Sequence, residues 1–226
     1  MKKILVVEAH SDDSAIGAYG FLRKRSLQGD KLYFLAASMS SMNLNHIGFV
    51  SRKTRMMEYA DYVKKIGGQL VEGFIPFDME SRMDTMPKAD IVKAFENVNK
   101  RVKPDIIVCQ APSFHHDHTL VYESMIAALR PTTRIQPDEI LLMENPTYVH
   151  SLGPTTDFIP NTYCQLTEGE MEEKINIFCS CFPSQIRSRQ NCLSPEGIRA
   201  WAKYRGLESM LEPYAEAFVT FRRRIR

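Results

Sequence analysis

Val6-Val7-Glu8-Ala9-His10-Ser11-Asp12-Asp13-Ser14 places an imidazole and two adjacent carboxylates directly behind the apolar run Ile4 to Val7. A helical pattern begins just after them. Polar groups at the carboxyl end of a buried strand point to the crevice where open α/β sheets bind ligands, because loops diverge there and helix N-termini point inward. Much later in the chain the arrangement returns, with Ile106-Ile107-Val108 leading to Phe114-His115-His116-Asp117-His118.

Outward from these two stretches, strand and helix patterns alternate. Residues 3–9 read as a first strand, apolar on both faces as parallel strands between helix layers are, and 14–28 as a helix that Gly29 stops. The second strand is expected over 31–37, and 38–49, rich in Ser and Asn, reads as a loop. A charged helix over 51–66 ends at Gly67-Gly68, a third strand covers 70–75, and a helix over 88–102 precedes a fourth strand over 106–109. There follow a helix over 119–129, a fifth strand over 139–143, and a further strand over 158–165 that Pro160 confines to an edge. Helices are expected over 168–181, 195–205 and 212–222. This rhythm argues a mostly parallel α/β sheet covered by helices on both faces, in a single domain spanning 1–226. In the strand order 3-2-1-4-5, the first and fourth strands are neighbours and the order reverses between them, so the two polar stretches meet at one switch point.

At 226 residues, 44% hydrophobic and 25% charged, the chain can bury one substantial core, which excludes a disordered or collagen-like protein. The net charge of +2 gives no warrant for a nucleic-acid partner. No apolar run approaches the ~20 residues of a membrane span, and no signal peptide is visible behind Met1-Lys2-Lys3. Cys109, Cys164, Cys179, Cys181 and Cys192 are odd in number and scattered, which predicts free thiols and a cytoplasmic protein. The closing Phe221-Arg222-Arg223-Arg224-Ile225-Arg226 suits a helix C-terminus better than a binding patch. A homo-oligomer is compatible with everything in the sequence.

Catalytic zinc takes three ligands from His and carboxylate and leaves one position for water. His10 and Asp13, three apart across a strand-to-helix turn, can converge on one point, and His118 can supply the third ligand from the neighbouring strand end. Asp12 and Asp13 leave the backbone in opposite directions, so one carboxylate can bind the ion while Asp12 stays free beside it. Charge argues the same way, since Asp12, Asp13 and Asp117 crowded in one crevice would repel without a cation. A bound water acidified to a pKa of about 7 would deliver hydroxide, with Asp12 as general base, His115 as donor to the oxyanion and Asp117 orienting His115. Taken alone, Ser11, Asp12 and Asp13 are good N-cap residues, and the later histidines could be a solvated loop. Their joint occurrence at two strand ends of one sheet shifts the weight to a metal site. His46 and His150 have no carboxylate pattern around them and read as surface residues.

His10-Ser11-Asp12-Asp13 resembles the A-H-P-D-D-E motif, and His115-His116-Asp117-His118 the H-P-D-H motif, of the LmbE-like, or PIG-L, N-acetylglucosaminyl deacetylases. Arg55-Met56-Met57-Glu58 with Gly67, Ser184-Gln185, and Tyr214-Ala215-Glu216-Ala217-Phe218 resemble further motifs of that family. The resemblance implies a Rossmann-like fold and a zinc-dependent hydrolase, with another divalent ion such as Fe2+ as alternative, that removes acetyl from a small-molecule amino sugar. It implies His10, Asp13 and His118 as metal ligands, Asp12 as base, His115 as transition-state stabiliser and Arg55 as a substrate-binding residue; an ion pair is the other reading of Arg55. It leaves Glu216 near the site or, with the edge, in a packing role. In a hydrolase of this kind Arg55 and the loop residues around Asn43 and Asp84 are expected to face the rest of the substrate. The chain departs from the pattern at Ser11 for Pro, Ser14 for Glu, and Phe182 for the His before the S-Q pair. None removes an expected ligand, but loss of Glu at 14 takes away a partner of the site. The alternatives are an amidase acting on a thiol conjugate or antibiotic-related amide, and a carbohydrate-binding relative without turnover.

Overall fold

Strand β1 (Lys3–Glu8) divides its buried side chains between two apolar layers, with Ile4 and Val6 in one and Leu5 and Val7 in the other. That division is the two-residue period of an extended chain, and it suits β1 to the interior of the sheet. The computed structural model describes residues 1–71, 78–148 and 158–225.

After β1 come helices α1 (Asp13–Gly17) and α2 (Tyr19–Leu27), strand β2 (Lys31–Ala36), the short strands β3 (Met42–Leu44) and β4 (Gly48–Val50), and helix α3 (Arg52–Lys65). Strand β5 (Gln69–Leu70), helix α4 (Lys88–Val102), strand β6 (Ile106–Gln110), helix α5 (His116–Ala128) and strand β7 (Glu139–Met143) follow. The chain closes with strand β8 (Thr162–Leu166), helices α6 (Glu168–Cys181) and α7 (Pro195–Ser209), and strand β9 (Tyr214–Arg223). The sheet order is β5-β2-β1-β6-β7-β9-β8. Its first five members are parallel and stand in the expected order 3-2-1-4-5, with Val7 of β1 opposite both Leu35 of β2 and Cys109 of β6. The polar residues that follow β1 and β6 therefore emerge side by side where the order reverses.

Four expectations need correction. Residues 14–28 form two helices, broken at Ala18, whose φ of −144° is not helical. At this break the backbone of Gly17 lies so close to the Glu144 carbonyl that a Cβ would come within 2.2 Å of its oxygen. Within 38–49, β3 and β4 pair as an antiparallel hairpin instead of an irregular loop. The third strand is confined to Gln69–Leu70 at the sheet edge; Val71 lies beyond its end, and positions 72–75 of the expectation fall outside the described residues. The largest miss is 212–222, expected as a helix. It is β9, antiparallel between β7 and β8, with Tyr214 to Phe218 buried on both faces. Ala and Glu there favour a helix locally, but tertiary pairing overrides so weak a preference. Accordingly the arginines end a strand, not a helix, and Arg222 and Arg224 bond the side chain and the carbonyl of Gln136.

Glu216, on β9, accepts from the amides of Gly20 and Phe21 at the start of α2 and from Lys174 of α6, all at 2.8 Å. Its role is to tie helices to the sheet. No described helix is long and apolar enough to cross a membrane.

Candidate metal centre and active site

Beyond β1 the chain turns at His10, and its amide donates to Asp13 Oδ2 at 2.9 Å. Asp12 is the N-cap residue of α1 in position, yet its side chain makes no cap hydrogen bond. The amide at that helix start, Ser14 N–H, is met instead by Glu8, whose Oε2 lies 2.7 Å away while Oε1 accepts from Tyr59 at 2.7 Å. Glu8 is fully buried, and burial pushes its carboxyl up to about 8 against the pull of Tyr59 and Ser14. Asp12 is thus released from capping and lines the cavity. Burial first, then the neighbouring Asp13 charge, holds its carboxyl above the ordinary range.

Beyond β6, helix α5 starts at His116, so Asp117 and His118 lie on its first turn and both are fully buried. Nε2 of His118 lies 3.1 Å from Nδ1 of His10 and 3.4 Å from Oδ1 of Asp13. Each of the three residues also has a partner outside the triangle. Ser113 Oγ binds Nδ1 of His118 at 2.9 Å, Asn145 Nδ2 donates to Asp13 Oδ1 at 2.8 Å, and Nε2 of His10 faces Asp117 Oδ2 at 3.3 Å. Burial raises the Asp13 carboxyl, but His118 and His10 outweigh it and hold Asp13 well below the usual range.

These separations test whether an ion fits. Donors on a tetrahedral zinc with bonds of 2.0–2.1 Å stand about 3.3 Å apart, close to the distances from His118 to His10 and Asp13. The donor atoms of His10, Asp13 and His118 lie within 4.8 Å of one another, and two nitrogens with one oxygen suit zinc. A second grouping, His10, His115 and Asp117, meets the same limit, but Asp117 is a carboxylate behind a ligating histidine in the first.

Asp117 therefore differs from expectation. Its carboxylate turns to His10 and to the Ser81 amide at 2.7 Å, and only its backbone meets His115. That backbone amide donates to Nδ1 of His115 at 3.2 Å, which leaves Nε2 of the neutral ring to carry the proton. Burial first, then the His10 and His118 rings, lowers His115 to about 4.

Arg55 lines the cavity but is 2% exposed and ion-paired to Glu80, with Nη1 also on the Ser40 carbonyl at 3.0 Å. The ion-pair reading describes it. Asn43 misses the cavity because strand alternation gives that wall to Met42 and Leu44, and Asp84 points outward at 64% exposure near His116. Phe182 is buried against Tyr62 and Phe178. Glu58 accepts from the amide and hydroxyl of Ser184 at 2.9 and 2.6 Å, joining the R-x-x-E helix to the S-Q pair. His150 lies outside the described residues.

Ser113, Asn145, Glu8, Tyr148 and Arg187 also belong to the site or its support and were not singled out from the sequence. Glu144-Asn145 directly behind the apolar β7 carries the same signal as the first two stretches, polar groups at a strand's carboxyl end. Arg187 has no such signal.

Residues 5–129 match the family described as PIG-L, GlcNAc-PI de-N-acetylase. No curated protein matches the sequence. Among solved structures, the conserved protein TT1542 from Thermus thermophilus matches over 100% of this chain and 97% of its own, at 18% identity and a TM-score of 0.72. GalB, the 4-carboxy-2-hydroxymuconate hydratase from Pseudomonas putida KT2440, matches over 100% and 98%, at 20% identity and a TM-score of 0.73. The N,N'-diacetylchitobiose deacetylase from Pyrococcus horikoshii matches over 96% and 82%, at 19% identity and a TM-score of 0.65. At such identities the likeness establishes the fold.

Proposed function

This chain belongs to the PIG-L, GlcNAc-PI de-N-acetylase, family, and we propose from that premise that it is a single-domain, metal-dependent N-deacetylase acting on a GlcNAc-type amino sugar. The observation that carries the reading is the triangle of His10, Asp13 and His118 with the uncommitted Asp12 carboxylate beside it. Held by those three residues, a divalent ion, zinc by donor set with Fe2+ the alternative, would supply Lewis acidity and an acidified water.

The chain's own groups do the rest. Asp12, made more basic by burial and Asp13, takes a proton from the attacking water. His115 is neutral and donates from Nε2 to the amide oxygen as charge develops on it, with its tautomer fixed by the Asp117 amide. As the C–N bond breaks, Asp12 returns the proton to the departing nitrogen, leaving acetate and the free amine. Ser113, Asn145 and Asp117 hold the three ligands in register. The departure at Ser14 is the feature that favours a relative without turnover. Against that, Glu8 supplies a buried carboxyl to the Ser14 amide, so this turn keeps an acidic partner.

The test is metal analysis of the purified protein joined to an acetate-release screen over acetylated amino sugars, thiol conjugates and other acetamides. Stoichiometric metal with acetate released from an amino sugar is the expected result. Metal-loaded protein that releases no acetate from any of them overturns the reading.

A further inference from the structure

Two side chains on the cavity wall, Asp12 and Arg187, carry charge with no ion-pair partner among the described residues. Glu80 is taken by Arg55, and Asp13 by His10, His118 and Asn145. Arg187 remains, a guanidinium lining the cavity with no carboxylate of the described residues in ion-pair contact. No carboxylate is among its anchors. Nη1 donates to the carbonyls of Gln185 at 2.9 Å and Ser184 at 3.3 Å and meets Nε2 of His46, while Nε and Nη2 have no hydrogen-bond partner among the described residues. The loop beneath is fixed as well, because Glu58 grips Ser184 and the Arg187 amide bonds the Leu193 carbonyl at 3.1 Å.

A cation positioned by backbone carbonyls keeps its full charge for a ligand, and a guanidinium edge with two spare donors fits a planar or tetrahedral oxyanion in bidentate fashion. We propose that Arg187 forms an anion subsite at this cavity, so that the substrate carries a carboxylate or phosphate on the part that remains attached to the amine. The subsite builds on the deacetylase reading above. Asp12, the other uncommitted charge on the wall, is the base of that reading and the first charge that acts on Arg187, which is half-buried beside the exposed His46.

The experiment uses metal-loaded enzyme, wild type, Arg187→Gln and Arg187→Lys. Three substrates are compared: methyl N-acetylglucosaminide, its carboxymethyl glycoside, and N-acetylglucosamine 1-phosphate. In the wild type, one anionic substrate has kcat/KM roughly ten- to hundred-fold above the neutral one, the size of a charge-assisted hydrogen-bond pair. Arg187→Gln erases that advantage by raising KM for the anionic substrate well beyond any change seen with the methyl glycoside, and Arg187→Lys restores part of it. Which anion is preferred separates carboxylate from phosphate. Equal kcat/KM on all three in the wild type overturns the subsite, and so does an equal loss on all three in Arg187→Gln, which would make Arg187 a structural residue or a partner of Asp12. If no substrate is hydrolysed, the deacetylase reading fails separately. Calorimetry with glucosamine 1-phosphate and carboxymethyl glucosaminide then decides the subsite: tighter binding to wild type than to Arg187→Gln supports it, and equal or absent binding ends it.

Discussion

Nε2 of His118 stands 3.1 Å from Nδ1 of His10, although the two residues are 108 positions apart. Two ring nitrogens this close must share something positive, a proton or a metal ion. His118→Ala or Asp13→Ala removes one corner of the triangle, and metal content by elemental analysis is expected to fall from about one ion per chain to below about a tenth, as ligand loss commonly does. Stripping the wild type with a chelator lowers Tm, by several degrees where the ion is bound at ~100 times its Kd. Unchanged metal content in both variants would remove the ion from this site.

Asp12→Asn keeps the shape of the carboxyl and abolishes its basicity. Because Asp12 neither caps α1 nor belongs to the triangle, the variant is expected to retain metal and Tm while kcat drops ~10²- to 10⁴-fold. A variant that loses its metal instead would make Asp12 a ligand.

His115→Ala is expected to lower kcat by ~10²-fold or more with little change in metal content, since its Nδ1 is engaged by the helix backbone and only Nε2 is left for a substrate. Retention of full kcat would assign the ring to packing against Tyr148.

Arg55→Ala leaves the Glu80 carboxylate, 6% exposed, without its partner. Such a break costs about 3–5 kcal/mol. Thermal and urea unfolding should therefore report the loss before any KM effect is seen. A normal Tm with a raised KM would return Arg55 to substrate binding.

Glu8 ties stability to pH in the metal-free protein. Burial raises its folded-state value to about 8 from an ordinary 4.5, so the folded state holds this proton more tightly than the unfolded chain. The associated stability is full below the unfolded value and is lost as pH climbs through the folded one. Glu8→Gln, with the Tyr59 hydroxyl free to turn and accept, should match the wild type near pH 5 and melt higher at pH 8 to 9. Parallel Tm curves for the two proteins across this range would count against a buried charge at Glu8.

What the residues alone could announce was local. Alternating layers in Ile4 to Val7, the Gly67 stop and the polar stretches behind two apolar strands are written in neighbouring residues, because periodicity depends on which side of one element faces the core. The order 3-2-1-4-5 and the meeting of His10 with His118 follow from those strands and from the handedness of their crossovers.

Packing decided the rest. Tyr214 to Phe218 could have been a helix, and became a strand because β7 and β8 leave a slot between them whose backbone groups need partners. Asp12 came free only because Glu8 reached across to the Ser14 amide, and Arg55 was claimed by Glu80 while Arg187 was not. Which charge finds which partner depends on distances between elements remote in sequence, and no nearest-neighbour pattern encodes those distances.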